Sequence, residues 1–216
     1  MTSVVILPSP LLPAMAYRPL ADALRSAGHT AEVADVGKAT DAPTIIDGWR
    51  AKAAGADVVV AHSNAGLMAP LVAGDRALVF VDAALPPTQG SFPLANARHR
   101  AMLDELVDKK GRLPQWTRWW PRSAFEEIVP DKLFGKLDRA CPQLPLSYFD
   151  QSLTVPDGWV EGRDAYLAFG VAYIDEFQAA GEWGWPRKAM QGAHLHLMVR
   201  PGDVAREIIA LADALG

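Results

Sequence analysis

The sequence predicts an α/β domain: a mostly parallel sheet of about six strands with helices on both faces, carrying an inserted helical cap. Three observations carry this. Short β-branched runs alternate with amphipathic helical stretches over residues 3–81, with short loops between them. The alternation stops over residues 88–144, where no buried-strand run occurs. It resumes near residue 165 and closes on a helix with one apolar face.

Residues 3–7 form a continuous apolar run, ended by Pro8-Ser9-Pro10. Residues 17–27 place Leu20, Leu24 and Ala27 on one helical face, with Gly28 as the stop. Residues 30–36 read as a second strand and 44–54 as a second helix carrying Ile45, Ile46 and Trp49. Residues 58–61 are a β-branched strand feeding a helix over 66–73. Residues 76–81 are a fourth strand, closed by Asp82 and a Pro-containing turn. A βαβαβαβ order requires right-handed crossovers, and the chemistry of such sheets sits at the carboxyl ends of the strands. Ser63 and Asp82 both fall there.

Within 88–144, residues 94–108 form an amphipathic helix, 113–121 are aromatic and irregular, and 125–129 and 133–140 form short helices. The core is therefore assigned to 1–87 and 145–216 and the cap to 88–144, with 145–155 leading back in extended form. A fifth strand over 165–169, a helix over 172–180, a sixth strand over 187–190 and a last helix over 201–215 complete the core. Pro201 suits the first turn of that helix.

The chain is organised around Asp57-Val58-Val59-Val60-Ala61-His62-Ser63-Asn64-Ala65-Gly66. A buried strand that turns at once into a helix, with serine at the bend, is the nucleophile-elbow pattern. The bend leaves no room for large neighbours two positions to either side, and Ala61 and Ala65 stand there. An ordinary alternative is a serine that only caps the helix.

Composition narrows the options. The 216 residues are half hydrophobic, which gives a globular core, and the net charge of −4 provides no basic footprint for nucleic acid. Cys141 is the only cysteine, so no intramolecular disulfide forms and a Cys-based metal site is disfavoured. This fits a reducing cytoplasm. Residues 4–16 are apolar and end in Ala14-Met15-Ala16, as a secretory leader does, but no Lys or Arg precedes Arg18 and three prolines interrupt the run. A buried first strand is the better reading. No run is long enough to cross a membrane. The oligomeric state is open, a homodimer being one option. A dinucleotide site would need a Gly-rich turn after the first strand, which Pro8-Ser9-Pro10 cannot make.

With these residues in place the chain resembles the α/β-hydrolase superfamily over nearly its whole length, and is most similar to its short, capped esterase-like and hydroxynitrile-lyase-like members. The resemblance rests on the elbow serine, the cap after the following strand, and Gly192-Ala193-His194 after the last strand. It implies Ser63 as nucleophile and His194 as base, with no cofactor and no metal. His196 competes for the base but lies two residues farther on. His62 is given a packing role, and His29 and His99 are read as surface residues. The family's usual place for the acid, the loop at 170–174, holds no carboxylate before Asp175. The alternative place after the preceding strand holds Asp82, which is chosen over Asp175 and over no conventional acid, with Asp150 and Asp157 weaker. The oxyanion hole is assigned to the backbone N–H of Asn64 and, because Pro10 at the usual donor position has none, either to that of Leu11 in a shifted loop or to no second donor, which leaves the hole incomplete. Trp116, Trp119, Trp120, Met68 and Phe149 are expected to line an apolar pocket or to hold the cap to the sheet.

The leading expectation is a serine hydrolase cleaving an ester, lactone or thioester of a small-to-medium apolar substrate. A non-hydrolytic enzyme of secondary metabolism (lyase, cyclase or dehydratase) using Ser63 and His194 for proton transfer is the alternative. A ligand-binding protein with little turnover is the third.

Overall fold

The computed structural model describes residues 1–126 and 128–216. Six strands form one sheet: β1 (Ser3–Leu7), β2 (Thr30–Val33), β3 (Val58–Ser63), β4 (Ala77–Ala83), β7 (Asp164–Phe169) and β8 (Arg187–Met190). Their order is β2-β1-β3-β4-β7-β8, and every pairing is parallel. Every residue of β3, β4 and β7 is buried, which is why these strands appear in the sequence as mostly apolar runs. The edge strands β2 and β8 carry the charged Glu32, Arg187 and Lys188, which discourage pairing with another chain.

Helices cover both faces. On one, α2 (Ala42–Ala53), α3 (Pro70–Ala73) and α7 (Ile174–Glu182) pack Ile45, Trp49, Val72 and Ala180 against Val59, Phe80 and Tyr166. On the other, α1 (Arg18–Ser26), α8 (His196–Val199) and α9 (Pro201–Asp213) pack Leu20, Leu24, Leu197, Val204 and Ile208 against Ile6, Val60 and Val79. Each such large side chain, fully buried, contributes about 1.5–3 kcal/mol of transfer free energy.

The insertion leaves after β4 and returns at β7. It holds α4 (Ala97–Leu106), α5 (Ser123–Glu126) and α6 (Asp131–Ala140), and its neck is an antiparallel pair of β5 (Ser91–Pro93) with β6 (Ser152–Thr154). Residues 145–155, expected to belong to the core, thus include a strand that pairs with the start of the insertion. The helix expected over 66–73 is replaced by a 3-10 turn, Asn64–Leu67, and the single α-turn of α3. Pro70 opens α3, and a proline lacks the N–H needed to continue a helix begun before it.

Candidate active site

β3 ends on Ser63, whose backbone has φ 59° and ψ −130° before entering the 3-10 turn. Among the described residues, only Ser63 and Asp82 combine a side chain with positive φ. Such angles cost of order 1–3 kcal/mol and persist only where the surroundings enforce them. Ala61 and Ala65 are fully buried, as the tight bend requires. Gly66, which the sequence reading did not single out, is required for a different reason. A Cβ there would lie 2.1 Å from the Ala84 carbonyl oxygen. Asn64 is fixed through its side chain, which accepts the Tyr148 O–H at 2.7 Å. Its N–H is the first of the turn, a group that the turn itself leaves free.

Asp82 sits in a β-bulge. His62 of β3 pairs with Val81 of β4, but Ser63 pairs with Ala83, so Asp82 is skipped in the ladder. A bulge re-aims the side chain it carries. Asp82 Oδ1 accepts the Phe169 N–H at 2.9 Å, and Oδ2 meets His194 Nδ1 at 2.6 Å. Tyr166 clamps the bulge: its hydroxyl accepts the Ala83 N–H at 3.0 Å and donates to the Ala83 carbonyl at 2.5 Å. The carboxylate is fully buried. The contact places a proton of His194 on Nδ1 and leaves Nε2 without one on the neutral ring.

His194 is stacked on His62, with ring centroids 4.5 Å apart, and is flanked by Trp116 at 5.5 Å and Tyr173 at 5.6 Å. His62 does more than pack. Its Nε2 faces the His194 carbonyl at 3.0 Å, and a carbonyl only accepts, so Nε2 carries the proton. Nδ1 then accepts the Tyr17 O–H at 2.9 Å, and the Tyr17 oxygen accepts the Ser9 N–H at 2.8 Å. One hydrogen-bonded chain thus ties the loop after β1 to the loop bearing His194. Burial, and next the nearby His194, hold the His62 pKa well below the usual 6.5. His196 points elsewhere: its ring lies on Phe169 and folds over Gly192, where a Cβ would come within 2.7 Å of it. His99 is not a free surface residue, since its ring packs edge-on against Phe149 and Trp119. Asp150 pairs with Arg100 at 2.6 Å, away from His194.

An apolar cleft of about 540 Å³ opens beside His194, walled by Trp116, Trp120, Phe125, Phe169 and Tyr173. Trp116 is held in place by the next two residues: the Thr117 hydroxyl bonds Asp138 of α6 at 2.7 Å, and Arg118 makes a two-pronged pair with it at 3.0 and 2.9 Å. Three expected pocket residues do not line this cleft. Met68 and Phe149 are buried in the core, and Trp119 packs on Phe149 while its indole N–H bonds the Pro114 carbonyl at 3.0 Å. Ser63 is itself only 4% exposed. Among the described residues its hydroxyl has no hydrogen bond to His194, whose side chain bonds Asp82 and whose carbonyl meets His62. Catalytic hydrogen bonds of this kind are often long before substrate binds. The Leu11 N–H, assigned to the oxyanion hole, turns inward instead and donates to Ser9 Oγ at 3.3 Å. No group of three or more potential metal ligands occurs among the described residues. No helix among them is long and apolar enough to cross a membrane.

No protein-family profile and no curated protein matches the chain. Solved structures do. An extracellular α/β-hydrolase from a Paenibacillus species, described as sharing structural and functional homology with tobacco salicylic acid binding protein 2, superposes with TM-score 0.75 at 18% identity, over 98% of this chain and 99% of that one. Tomato methylketone synthase I, solved with beta-ketoheptanoate, gives TM-score 0.71 at 12% identity over 100% and 99%. The pyrethroid hydrolase PytH gives 0.67 at 15% identity over 99% and 98%. The chain has the α/β-hydrolase fold, with the elbow, bulge and histidine loop at one end of its sheet.

Proposed function

We propose that this protein is a cofactor-independent serine hydrolase that cleaves an ester, lactone or thioester with a small-to-medium apolar body. The observation that carries the reading is the 2.6 Å contact between His194 and the buried Asp82, on a sheet whose elbow serine is held at positive φ. In this reading His194 Nε2 takes the Ser63 proton as Oγ attacks the carbonyl carbon. Asp82 holds the imidazole tautomer and stabilises the imidazolium without taking the proton itself. The Asn64 N–H faces the developing oxyanion. His194 then protonates the leaving oxygen or sulfur, and water releases the acyl group by the same steps in reverse. Trp116 and Trp120 receive the apolar body of the substrate. The single buried thiol, Cys141, suits a cytoplasmic setting.

The test is product analysis on a panel of p-nitrophenyl esters, lactones and acyl thioesters. The reading predicts release of acid plus alcohol or thiol with uptake of one water, abolished in Ser63→Ala. A second reading is favoured by one observation, the engagement of the Leu11 N–H within its own turn. A lyase, cyclase or dehydratase would use Ser63 and His194 for proton transfer and would depend less on a backbone oxyanion hole. Product formed without water uptake supports that reading instead.

A further inference from the structure

This inference rests on the serine-hydrolase reading and concerns what holds the apolar cleft in shape beside His194. Trp116 links the two. It lines the cleft, and its ring centroid lies 5.5 Å from that of His194 at a tilt of 45°. It also meets Phe125, another wall residue, edge-on at 5.5 Å. Where Trp116 stands therefore decides how near to His194 a substrate seated in the cleft can lie. The local chain gives it little hold. Trp116–Arg118 is a single 3-10 turn without a side-chain cap, in a stretch that has no helical or strand period.

The hold comes from one carboxylate on α6. Asp138 Oδ1 accepts the Thr117 O–H at 2.7 Å and the Arg118 Nε–H at 3.0 Å, and Oδ2 accepts from Arg118 Nη2 at 2.9 Å. Two of the turn's three residues thus end on the same side chain. Thr117 is buried and the Asp138 side chain is only 18% exposed, so water screens this cluster less than an ordinary surface ion pair. Asp138 also stands in the last turn of α6, where the helix dipole disfavours a carboxylate. The needs of the helix do not explain an acid there, whereas the bonds to the turn do. Those to Arg118 hold its carboxyl below the usual carboxylate range, so it is ionised at neutral pH.

We propose that Asp138 is a positioning residue for substrate binding. Its carboxylate anchors Thr117 and Arg118 to α6 and so keeps the Trp116 indole in the cleft wall beside His194, where it receives the apolar body of the substrate. Asp138 lies outside the cleft wall and touches no reacting atom. Its effect on turnover therefore runs through Trp116.

The experiment measures kcat and KM on p-nitrophenyl hexanoate for wild type, Asp138→Ala, Trp116→Ala and the double variant, with a thermal melt of each. In Asp138→Ala the expected result is a rise of about tenfold in KM with a smaller change in kcat, as when binding shared by ground and transition states is lost. Asp138→Asn and Thr117→Val keep the shape and remove part of the anchor. They should raise KM by smaller factors, and they carry the test if Asp138→Ala does not fold. The double variant separates positioning from mere support of the fold. It should show the KM of Trp116→Ala alone, although its melting temperature is lower. Effects on KM that multiply in the double variant, or a wild-type KM in the folded Asp138 and Thr117 variants, would overturn the proposal and leave Asp138 a tie between α6 and the turn. A folded wild type that hydrolyses no ester would overturn the hydrolase reading and this inference with it.

Discussion

Asp82 Oδ2 lies 2.6 Å from His194 Nδ1, although 112 positions of sequence separate the two residues. The contact exists because β4 bulges at Asp82 beside the elbow of β3, so that carboxylate and serine emerge from neighbouring strands at the same end of the sheet. Asp82→Asn tests its chemical role. The amide preserves shape but favours the wrong imidazole tautomer, and the equivalent change in a Ser-His-Asp system costs about 10⁴ in kcat. We expect a loss of that order in ester hydrolysis. A loss below tenfold would show that Asp82 is a structural strand-end residue.

The Tyr166 hydroxyl bonds both the N–H and the C=O of Ala83, the residue after the bulge. Tyr166→Phe leaves both buried backbone groups without that partner. A destabilisation of about 1–3 kcal/mol is expected in urea titration, with a lower kcat as Asp82 loses its fixed aim. Unchanged stability would mean that the bulge holds its shape without the clamp.

Asp164 opens β7 at the end of the sheet opposite the site. Burial raises its carboxyl pKa from 3.8 to about 7, and its Oδ2 has no hydrogen-bond partner among the described residues. Between those two values the folded protein binds more protons than the unfolded chain, so stability falls as pH rises from about 4 to about 7 and then levels off. At about 1.4 kcal/mol per unit the loss is a few kcal/mol. Asp164→Asn should flatten this slope and raise the melting temperature at pH 8. Parallel wild-type and variant curves would contradict it.

His62 acts in the other direction. Its folded pKa is depressed, so the unfolded chain binds the extra proton first as pH falls below 6.5. Its contribution is whole above that pH and is lost progressively on acidification. His62→Gln should reduce the acid sensitivity of the melting temperature. It should also lower kcat, because the Ser9–Tyr17–His62–His194 chain is broken. A variant with wild-type acid sensitivity would remove His62 from that account.

The sheet was legible in the sequence where burial on both faces forces apolar runs, as at Val58–Ser63 and Ala77–Ala83. That Ser63, Asp82 and His194 lie together at one end of the sheet was legible from strand order and from the family resemblance. The insertion was not. Whether Trp119 or Trp120 faces the cleft depends on turns over 113–121 that have no period, and tertiary packing half-buries Trp119 against Phe149 and leaves Trp120 43% exposed. Met68 and Phe149 do not line the cleft because both are buried in the core. Leu11 failed because a side-chain acceptor, Ser9 Oγ, competes for its N–H.

The central claim is an activated serine at Ser63, and intact-mass analysis after fluorophosphonate treatment tests it most directly. The account predicts a single adduct on wild type that maps to Ser63, disappears in Ser63→Ala and is nearly lost in His194→Ala, with all three proteins folded by circular dichroism. A folded wild type that acquires no adduct, or one that persists in Ser63→Ala, would contradict it.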